Sequence, residues 1–446
     1  MSQTLSAEES KKVLDKIETD LTRPLTNHKG FEMWVLFLLL IFVIAGYAYF
    51  LQLRDGLGVT GMRDYVHWAM YIGNFVFFVA TSLIGMLISS VLGLLKIKWI
   101  TPITRIAEMI ALGFAMWAGI VIIIDMGRPD RFLNIFLHGR FQSPILWDVT
   151  VVTTYVMIST LLLVLPLIPD ASILKRRMVN APKWQQTIYS IVASNWKAHP
   201  EQFAIIKKSM RILAILIIPV ALAIHTVTSW LFASTLRVGW DSTIFGPYFV
   251  TGAFVSGAAA VIIAMFFFRN NYKLKEYITE MHFDHMAKLL VLVSLVYLYF
   301  NINEFLVPAY KMRNAEYHHL HALFAGSHAI MFWSVQILGL VLPIILLLFK
   351  PMRKPRPALV IALFVLAGAW LKRFLIVVPT LEHPYLPIQN VPENFHFYVP
   401  TGPEIMLTLA PIAGVLVIIT IIAKLFPVVP IWETAHEKGV DESLLK

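Results

Sequence analysis

Ten long apolar runs constrain this chain more than any other feature of its sequence. Each holds about 20 or more residues with few charges, the length that an α-helix needs to cross the hydrocarbon core of a bilayer. Because lipid offers the backbone no hydrogen-bond partners, such runs must fold as helices. We therefore predict an all-α integral membrane protein with ten transmembrane helices. In chain order, helix 1 to helix 10 cover residues 33–53, 67–94, 101–126, 144–168, 211–234, 247–268, 285–306, 328–349, 357–379 and 404–426.

The composition agrees with a membrane protein and excludes several kinds of redox protein. Of the 446 residues, 58% are hydrophobic and only 14% are charged, whereas soluble domains carry about 25% charged residues. The sequence contains no cysteine, so this chain cannot hold disulfides, thiolate zinc sites, iron–sulfur clusters or covalently attached c-type haem. The net charge of +10 lies mainly in short loops between apolar runs. We therefore expect contact with membrane lipid and not with nucleic acid.

Lysine and arginine are distributed unevenly between the two sides of the predicted bundle. The chain ends and the loops after helices 2, 4, 6 and 8 carry about three times as many as the loops after helices 1, 3, 5, 7 and 9. The positive-inside rule then places both termini in the cytoplasm, in agreement with the even number of helices. We expect a multi-pass protein of a bacterial or archaeal cytoplasmic membrane, with the odd-numbered loops facing outward.

Helices 3 and 7 suggest an internal repeat. Helix 3 opens with Arg105 and Glu108 and ends at Asp125, and helix 7 opens with Asp284 and ends at Glu304. We predict two parallel four-helix bundles, helices 2–5 and helices 6–9, with helices 1 and 10 outside them. The alternative is that any two amphipathic helices look this alike. The expected segments are a cytoplasmic N-terminal segment (1–32), the first helix with its outward loop (33–66), the two bundles (67–236 and 237–380), an outward cap loop with the tenth helix (381–426) and a cytoplasmic tail (427–446).

The outward loops hold most of the unusual polar sequence. The loop between helices 3 and 4 carries His138 and Arg140 and leads into Asp148, and the loop between helices 5 and 6 carries Asp241. A carboxylate and an imidazole beside an apolar cleft suit a ligand whose two hydroxyl groups lose protons, because histidine accepts protons near neutral pH. The alternative for each carboxylate is a helix-end residue in the headgroup zone.

Ionisable residues at the ends and in the interiors of the apolar runs are candidates for a proton path. Each costs roughly 2.5–3.5 kcal/mol on insertion scales, so they are functional candidates by default. Chains of such residues relay protons in pumps, and the alternative is structural ion pairs that fix helix packing. The candidates are Glu108, Asp125, His225, Asp284, Glu304, Lys372 and Arg373.

The histidines offer little support for haem or metal. A b-type haem needs axial ligands at similar depth on facing helices, and only His225 lies well inside a predicted helix. His318, His319, His321 and His328 cluster near one outward loop. Two interpretations of this cluster remain, a metal site and a solvated loop. We favour the solvated loop and expect no metal.

Four sequence strings carry a family resemblance. They are "GRPDRF…RFQSPILWD", "GWDSTIFGPYFVTGAFVSG", "EYITEMHFDHMAKLLVL" and "FLIVVPTLEHPYLPIQNVPE". In this order and spacing the chain resembles the NrfD/PsrC family of quinone-interacting membrane subunits. With ten helices it is similar to the longer branch, which includes the C-subunit of alternative complex III and the DsrP-type and Hmc-type subunits. The resemblance covers about residues 30–430.

The resemblance implies an activity and partners. It implies two four-helix bundles with a quinol site near the outward face, made by His138, Asp148 and Asp241. It implies that menaquinol or ubiquinol is the substrate, that the chain holds no redox cofactor, and that a ferredoxin-like iron–sulfur subunit docks over the site. A multihaem cytochrome c and a second NrfD-like membrane subunit are further partners that it implies.

Three functions stay open at this point. The leading hypothesis is quinol oxidation at an outward-facing site, with electrons passed to the docked iron–sulfur subunit and with coupling to proton translocation as a further possibility. The second is a secondary transporter, in which Pro219 and Pro343 would mark broken helices near the membrane midplane. The third is a structural anchor for an electron-transfer complex.

Overall fold

The computed structural model describes residues 7–26, 30–384, 386, 388–441 and 444–445. Within these residues the chain forms helices and connecting turns without a strand. Ten helices are long and apolar enough to cross a membrane, as predicted. Helix 1 to helix 10 span Phe31–Asp55, Met70–Leu92, Lys98–Asp125, Pro144–Val164, Pro200–Ala233, Phe245–Asn271, Glu280–Lys311, Ala329–Leu348, Pro355–Glu382 and Gly402–Leu425.

Helix 5 is longer than its apolar run. It begins at Pro200 instead of residue 211, because the polar residues before the apolar run also favour a helix. Pro200 occupies the first turn, where its missing N–H is not needed. Gln202 Oε1 accepts a hydrogen bond from the backbone N–H of Lys197 at 2.9 Å. The helix continues through Pro219, so it does not contain the non-helical break that a transporter would need there.

Neighbouring helices pack in two groups of four. Helix 2 contacts helix 3, helix 3 contacts helix 4, helix 4 contacts helix 5, and helix 5 returns to helix 2. Helices 6, 7, 8 and 9 contact one another in the same cyclic order. Helix 6 packs against helices 2 and 5, and helix 9 against helix 2, so that the two groups share one interface. The internal repeat itself stays a prediction.

Helices 1 and 10 lie outside these groups and pack against each other, with helix 10 also against helix 3. The segment before helix 1 forms an amphipathic helix, Ala7–Thr26, which contacts the C-terminal helix Ile431–Glu437. Glu18 on the first of these pairs with Arg176 at 2.8 Å and with Arg177 at 2.5 Å, both in the connection after helix 4. We call this side the termini side and the other the opposite side.

Helix 8 contains a local irregularity beside helix 9. Residues Ile337–Val341 form a π-helical turn, and Pro343 lies just after it. A Cβ added to Gly339 would lie 2.9 Å from the Cα of Gly368. The two helices therefore meet backbone to backbone at a pair of glycines, and a small cavity lined by both lies beside this crossing. Single π turns are often found at functional sites.

Candidate functional site

A buried carboxylate joins helices 4 and 5 in the half of the membrane nearer the opposite side. Asp148 is 5% exposed and accepts a hydrogen bond from Thr228 Oγ1 at 2.5 Å. His225 lies one turn before Thr228 on the same face of helix 5, because residues three apart in a helix are neighbours. Its ring is buried, and Nε2 has no hydrogen-bond partner within the described ranges. Helix 5 thus presents an imidazole and a hydroxyl to the interior of the bundle.

The interface between the two groups of helices contains an arginine that has no carboxylate partner among the described residues. Arg373 on helix 9 is 2% exposed, and no described residue forms a hydrogen bond with its Nε or Nη1 atom. Its guanidinium lies 5.2 Å from the ring centroid of Phe249, and His225 is within electrostatic range. A Cβ on Gly252 would lie 2.8 Å from Nη2. Glycine at 252 therefore leaves room for this guanidinium.

Lys372, the preceding residue, forms the only carboxylate contact of this cation pair among the described residues. Its Nζ lies 3.5 Å from Glu304 Oε2, and both side chains are at least nine-tenths buried. The ammonium also lies 4.5 Å from the ring centroid of Phe305 and 5.7 Å from that of Tyr248. The predicted proton-path residues Glu304, Lys372 and Arg373 are thus brought together.

A neutral hydrogen-bond network adjoins this cation pair. Tyr248 donates to Asn301 Oδ1 at 2.9 Å, and Asn301 Nδ2 donates to Gln336 Oε1 at 2.6 Å. Tyr297 stacks on Tyr248 with ring centroids 5.0 Å apart. Sequence reasoning missed Gln336 and Tyr248. Polar side chains in the apolar runs were the available signal, but only the packing shows that they meet.

Two histidines of the outward loop cluster are shielded from solvent on the opposite side, His319 almost fully and His328 partly. His328 Nε2 lies 2.7 Å from Glu382 Oε2, and Glu382 Oε1 accepts the backbone N–H of Tyr398. His319 is 7% exposed, and its Nδ1 atom has no hydrogen-bond partner in the part of the chain that the structure describes. Burial and then the positive neighbours, His383 first among them, lower the pKa of His319 to about 3. His319 is therefore neutral near physiological pH.

The other two histidines of this cluster, His318 and His321, are exposed. Within the described ranges, no group of three or more histidine, aspartate and glutamate side chains is arranged to hold a metal ion.

The four predicted quinol-site residues are not in direct contact with one another. His138 and Arg140 are exposed in the connection between helices 3 and 4, and Asp241 is exposed between helices 5 and 6. Among the described residues, no hydrogen bond or ion pair joins any of them to the buried Asp148. The neighbouring Trp240 is buried and donates to the carbonyl oxygen of Ile376 at 2.6 Å, which anchors this loop to helix 9. The convergence of the four predicted site residues around a quinone stays a prediction.

The predicted proton-path residues near the termini side have different surroundings. Glu108 is 5% exposed on helix 3. Arg105, one turn before it, pairs with Asp170 at 2.7 Å. Asp284 pairs with Lys288 at 2.6 Å and with Arg353 at 3.1 Å. Sequence reasoning missed Asp170, because its partner lies on another element and no spacing rule connects the two.

Asp125 ends helix 3 at the opposite side. Its Oδ1 atom is buried and forms no hydrogen bond with any described residue. The carboxylate lies within electrostatic range of the buried Glu404. Glu404 accepts hydrogen bonds from Tyr398 and from the backbone N–H of Gly61 and Thr401. This carboxylate therefore ties the loops before helix 2 and before helix 10 together.

Comparison with known proteins decides the family. The family model described as "Polysulphide reductase, NrfD" matches residues 58–383. The chain belongs to the NrfD family. The matched residues include helices 2 to 9, so the NrfD region coincides with the two groups of four helices and leaves helices 1 and 10 outside.

Curated relatives extend the NrfD comparison to most of the chain. A Halobacterium salinarum protein named as a candidate membrane C-subunit of dimethyl sulfoxide reductase is 29% identical over 75% of this chain and 72% of its own. The C-subunit of selenate reductase from Mesobacillus selenatarsenatis is 23% identical over 89% of this chain and 94% of its own. The Hdr-like menaquinol oxidoreductase integral membrane subunit of Archaeoglobus fulgidus is 23% identical over 92% of this chain and 95% of its own. All three relatives are named as subunits of a reductase or oxidoreductase, and the first and third are named as membrane subunits.

Proposed function

We propose that this chain is the quinone-interacting membrane subunit of a respiratory electron-transfer complex and that it oxidises menaquinol or ubiquinol. The observation that carries the proposal is the similarity over 92% of the chain to a protein named as a menaquinol oxidoreductase membrane subunit. Membership of the NrfD family, whose model matches 58–383, supports it. Oxidation of a quinol releases two protons and two electrons, so the site must provide proton acceptors and an exit for electrons.

Asp148 is the proposed buried acceptor of a quinol proton. Its carboxylate is already desolvated and keeps one hydrogen bond, from Thr228, so it can accept a proton without first losing water. His138, Arg140 and Asp241 lie on the same side of the membrane but are exposed. We propose that His138 acts as a second base when a docked subunit covers the loop.

The surface around His138 is suited to such a partner. Leu133, Leu137 and Phe141 are exposed on the loop between helices 3 and 4, and Phe141 is 86% exposed. Arg128 and Asp130 form an exposed ion pair in the same loop. Apolar residues with a polar rim are typical of protein interfaces. The proposed occupant is a ferredoxin-like iron–sulfur subunit that takes the two electrons, with a multihaem cytochrome c and a second NrfD-like subunit elsewhere in the complex.

The proposed orientation places the opposite side outside the cell and both termini in the cytoplasm. The excess of lysine and arginine on the termini side supports it. Quinol protons would then be released outward. Glu108, Asp125, His225 and Asp284 remain proposed proton-path residues together with the cluster at Glu304, Lys372 and Arg373.

The two alternatives make different predictions for quinone binding. A secondary transporter would bind its substrate near the midplane on broken helices, but helix 5 is continuous at Pro219. A structural anchor would not bind quinol at all. Quinone binding to the purified complex therefore separates both alternatives from the proposal.

The test compares His138→Ala with His318→Ala in the assembled complex, reconstituted in right-side-out vesicles. Both histidines are exposed on the opposite side, so His318→Ala controls for loss of a surface histidine. We expect His138→Ala to lower quinol oxidation by about 10²–10⁴-fold, because it removes a positioned base. We expect the unchanged protein to acidify the external medium. Normal turnover in an assembled His138→Ala complex would remove this residue from the site, and internal acidification would reverse the orientation.

A further inference from the structure

Two small cavities meet at Lys372 in the half of the molecule nearer the opposite side. The larger has a volume of about 20 Å³ and the smaller about 10 Å³. A cavity of roughly 10–15 Å³ holds one water molecule, so the larger accommodates a water and the smaller is at the limit. Lys372 lines both. The polar side chains around the larger are Tyr297, Asn301, Gln336, Lys372 and Arg373, and those around the smaller are Glu304, His319, Lys372 and Thr380.

Each cavity has a lining residue with an unsatisfied buried nitrogen. Arg373 lines the larger cavity, and its Nε and Nη1 atoms lack a protein partner. His319 lines the smaller cavity, and its Nδ1 atom lacks one. Both side chains are more than nine-tenths buried. Buried polar atoms without protein partners are normally satisfied by ordered water, so water is the ligand that these cavities would take.

The ion pair of Lys372 and Glu304, which lies between the cavities, is long. The 3.5 Å between Lys372 Nζ and Glu304 Oε2 exceeds the 2.7–2.9 Å typical of a charge-assisted hydrogen bond. Among the described residues, Glu304 pairs with Lys372 and the adjacent Arg373 has no ion pair of its own, so two cations meet one carboxylate here. Such a net charge inside a membrane is costly unless water or a further group stabilises it. The Lys372 ammonium can therefore exchange its partner between Glu304 and cavity water.

We propose that both cavities hold ordered water and that Lys372 passes protons between them, with His319 as the outlet on the opposite side. This inference rests on the proton coupling in the proposed function. The ammonium of Lys372 gives a proton to water in the smaller cavity. That water gives a proton to Nδ1 of His319 while the other ring nitrogen releases one, so that the ring keeps no net charge. A proton that enters the larger cavity passes through the water beside Arg373 to the resulting amine, so that this water is neutral again. Glu304 and Arg373 keep their charges throughout.

His319 has the surroundings that an outlet requires. Its ring centroid lies 6.5 Å from that of His383, and His328 with its partner Glu382 is within electrostatic range. A neutral imidazole accepts a proton at one nitrogen and releases one from the other. His319 can therefore pass a proton on and return to its neutral state.

The first experiment measures protons moved per electron by the complete complex in vesicles. We expect His319→Phe, which keeps a ring but removes both nitrogens, to lower this ratio to the protons released by quinol itself. Quinol oxidation should persist. His318→Phe is the matched control, since His318 is exposed on the same short helix, and it should keep the wild-type ratio. A wild-type ratio in an active His319→Phe complex would overturn the inference.

The second experiment detects the water without relying on turnover. Radiolytic hydroxyl-radical labelling modifies side chains beside bound water, and we expect Tyr297 to be labelled in the complex. Gly252→Ala places a Cβ 2.8 Å from Arg373 Nη2 and 2.9 Å from the Tyr297 ring. This Cβ fills the space between the two side chains and should lower labelling of Tyr297 several-fold. Gly246→Ala on the same helix, where the nearest atom is 3.7 Å away, should not. An unlabelled Tyr297 in the wild type would refute the hydrated cavities.

The two experiments separate the inference from the proposed function. A labelled Tyr297 in a complex that does not oxidise quinol would refute the proposed function and retain the hydrated cavities. Quinol oxidation by a complex with an unlabelled Tyr297 would retain the proposed function and refute the hydrated cavities.

Discussion

Substitution of Asp170 by asparagine tests whether one buried ion pair holds the termini side together. Arg105 is 1% exposed and Asp170 is fully buried, with Nη1 and Oδ2 2.7 Å apart. The carboxylate also accepts the backbone N–H groups of Ile431 at 3.1 Å and Trp432 at 3.0 Å. It therefore joins helix 3, the connection after helix 4 and the C-terminal helix Ile431–Glu437.

The size of the effect follows from burial. Removing one partner of a buried pair leaves an uncompensated charge and costs about 3–5 kcal/mol. Asp130→Asn is the matched control, because Asp130 pairs with Arg128 at 2.8 Å while the two side chains are 58% and 63% exposed. Exposed pairs contribute little to stability, because water and salt screen their charges. The effects of Asp170→Asn and Asp130→Asn on the unfolding free energy should therefore differ by several kcal/mol, although the two ion-pair distances are similar.

The assay is an SDS titration in mixed micelles, followed by tryptophan fluorescence. Trp432 is a suitable reporter, since its indole N–H donates to the carbonyl oxygen of Pro166 at 3.1 Å beside this ion pair. Arg105→Met combined with Asp170→Asn should be less destabilising than the sum of the two single variants, because no unpaired guanidinium remains. If Asp170→Asn and Asp130→Asn differed by less than about 1 kcal/mol, the assumed cost of the buried charge would be wrong.

Two further predictions concern pH and packing. Because burial lowers the folded-state pKa of His319 to about 3, its contribution to stability is present above its unfolded pKa of about 6.5 and is lost as pH falls towards 3. Between pH 7 and pH 4, the unfolding free energy of the wild type should fall by about 3 kcal/mol more than that of His319→Asn. The control variant His318→Asn, which changes an exposed histidine, should show the pH dependence of the wild type. A Cβ on Gly414 of helix 10 would overlap the indole ring of Trp117, so Gly414→Ala should cost about 1–3 kcal/mol or more. Thermal unfolding in detergent checks this against Gly119→Ala, which meets no atom within 4 Å and should keep the wild-type midpoint.

The sequence by itself determined the number of transmembrane helices and the family. The length of an apolar run is a local property, and a backbone in lipid has no alternative to helix. Contacts within one helix can also be predicted from the sequence, because they depend on local spacing. Asp284 and Lys288 are four residues apart in the sequence, and the structure shows them as an ion pair at 2.6 Å. The ordered sequence strings identified the NrfD family, which the match over 58–383 confirmed.

Only the tertiary structure decided which polar residues meet. Most helices of this chain are apolar on nearly every face, so periodicity does not fix their rotation about their own axes. The pairing of Arg105 with Asp170 and the contact of Lys372 with Glu304 depend on that rotation. So does the burial of His319, which the sequence pattern placed in a solvated loop. The residues that surround the two cavities come from separate helices and from loops, and no local spacing brings them together.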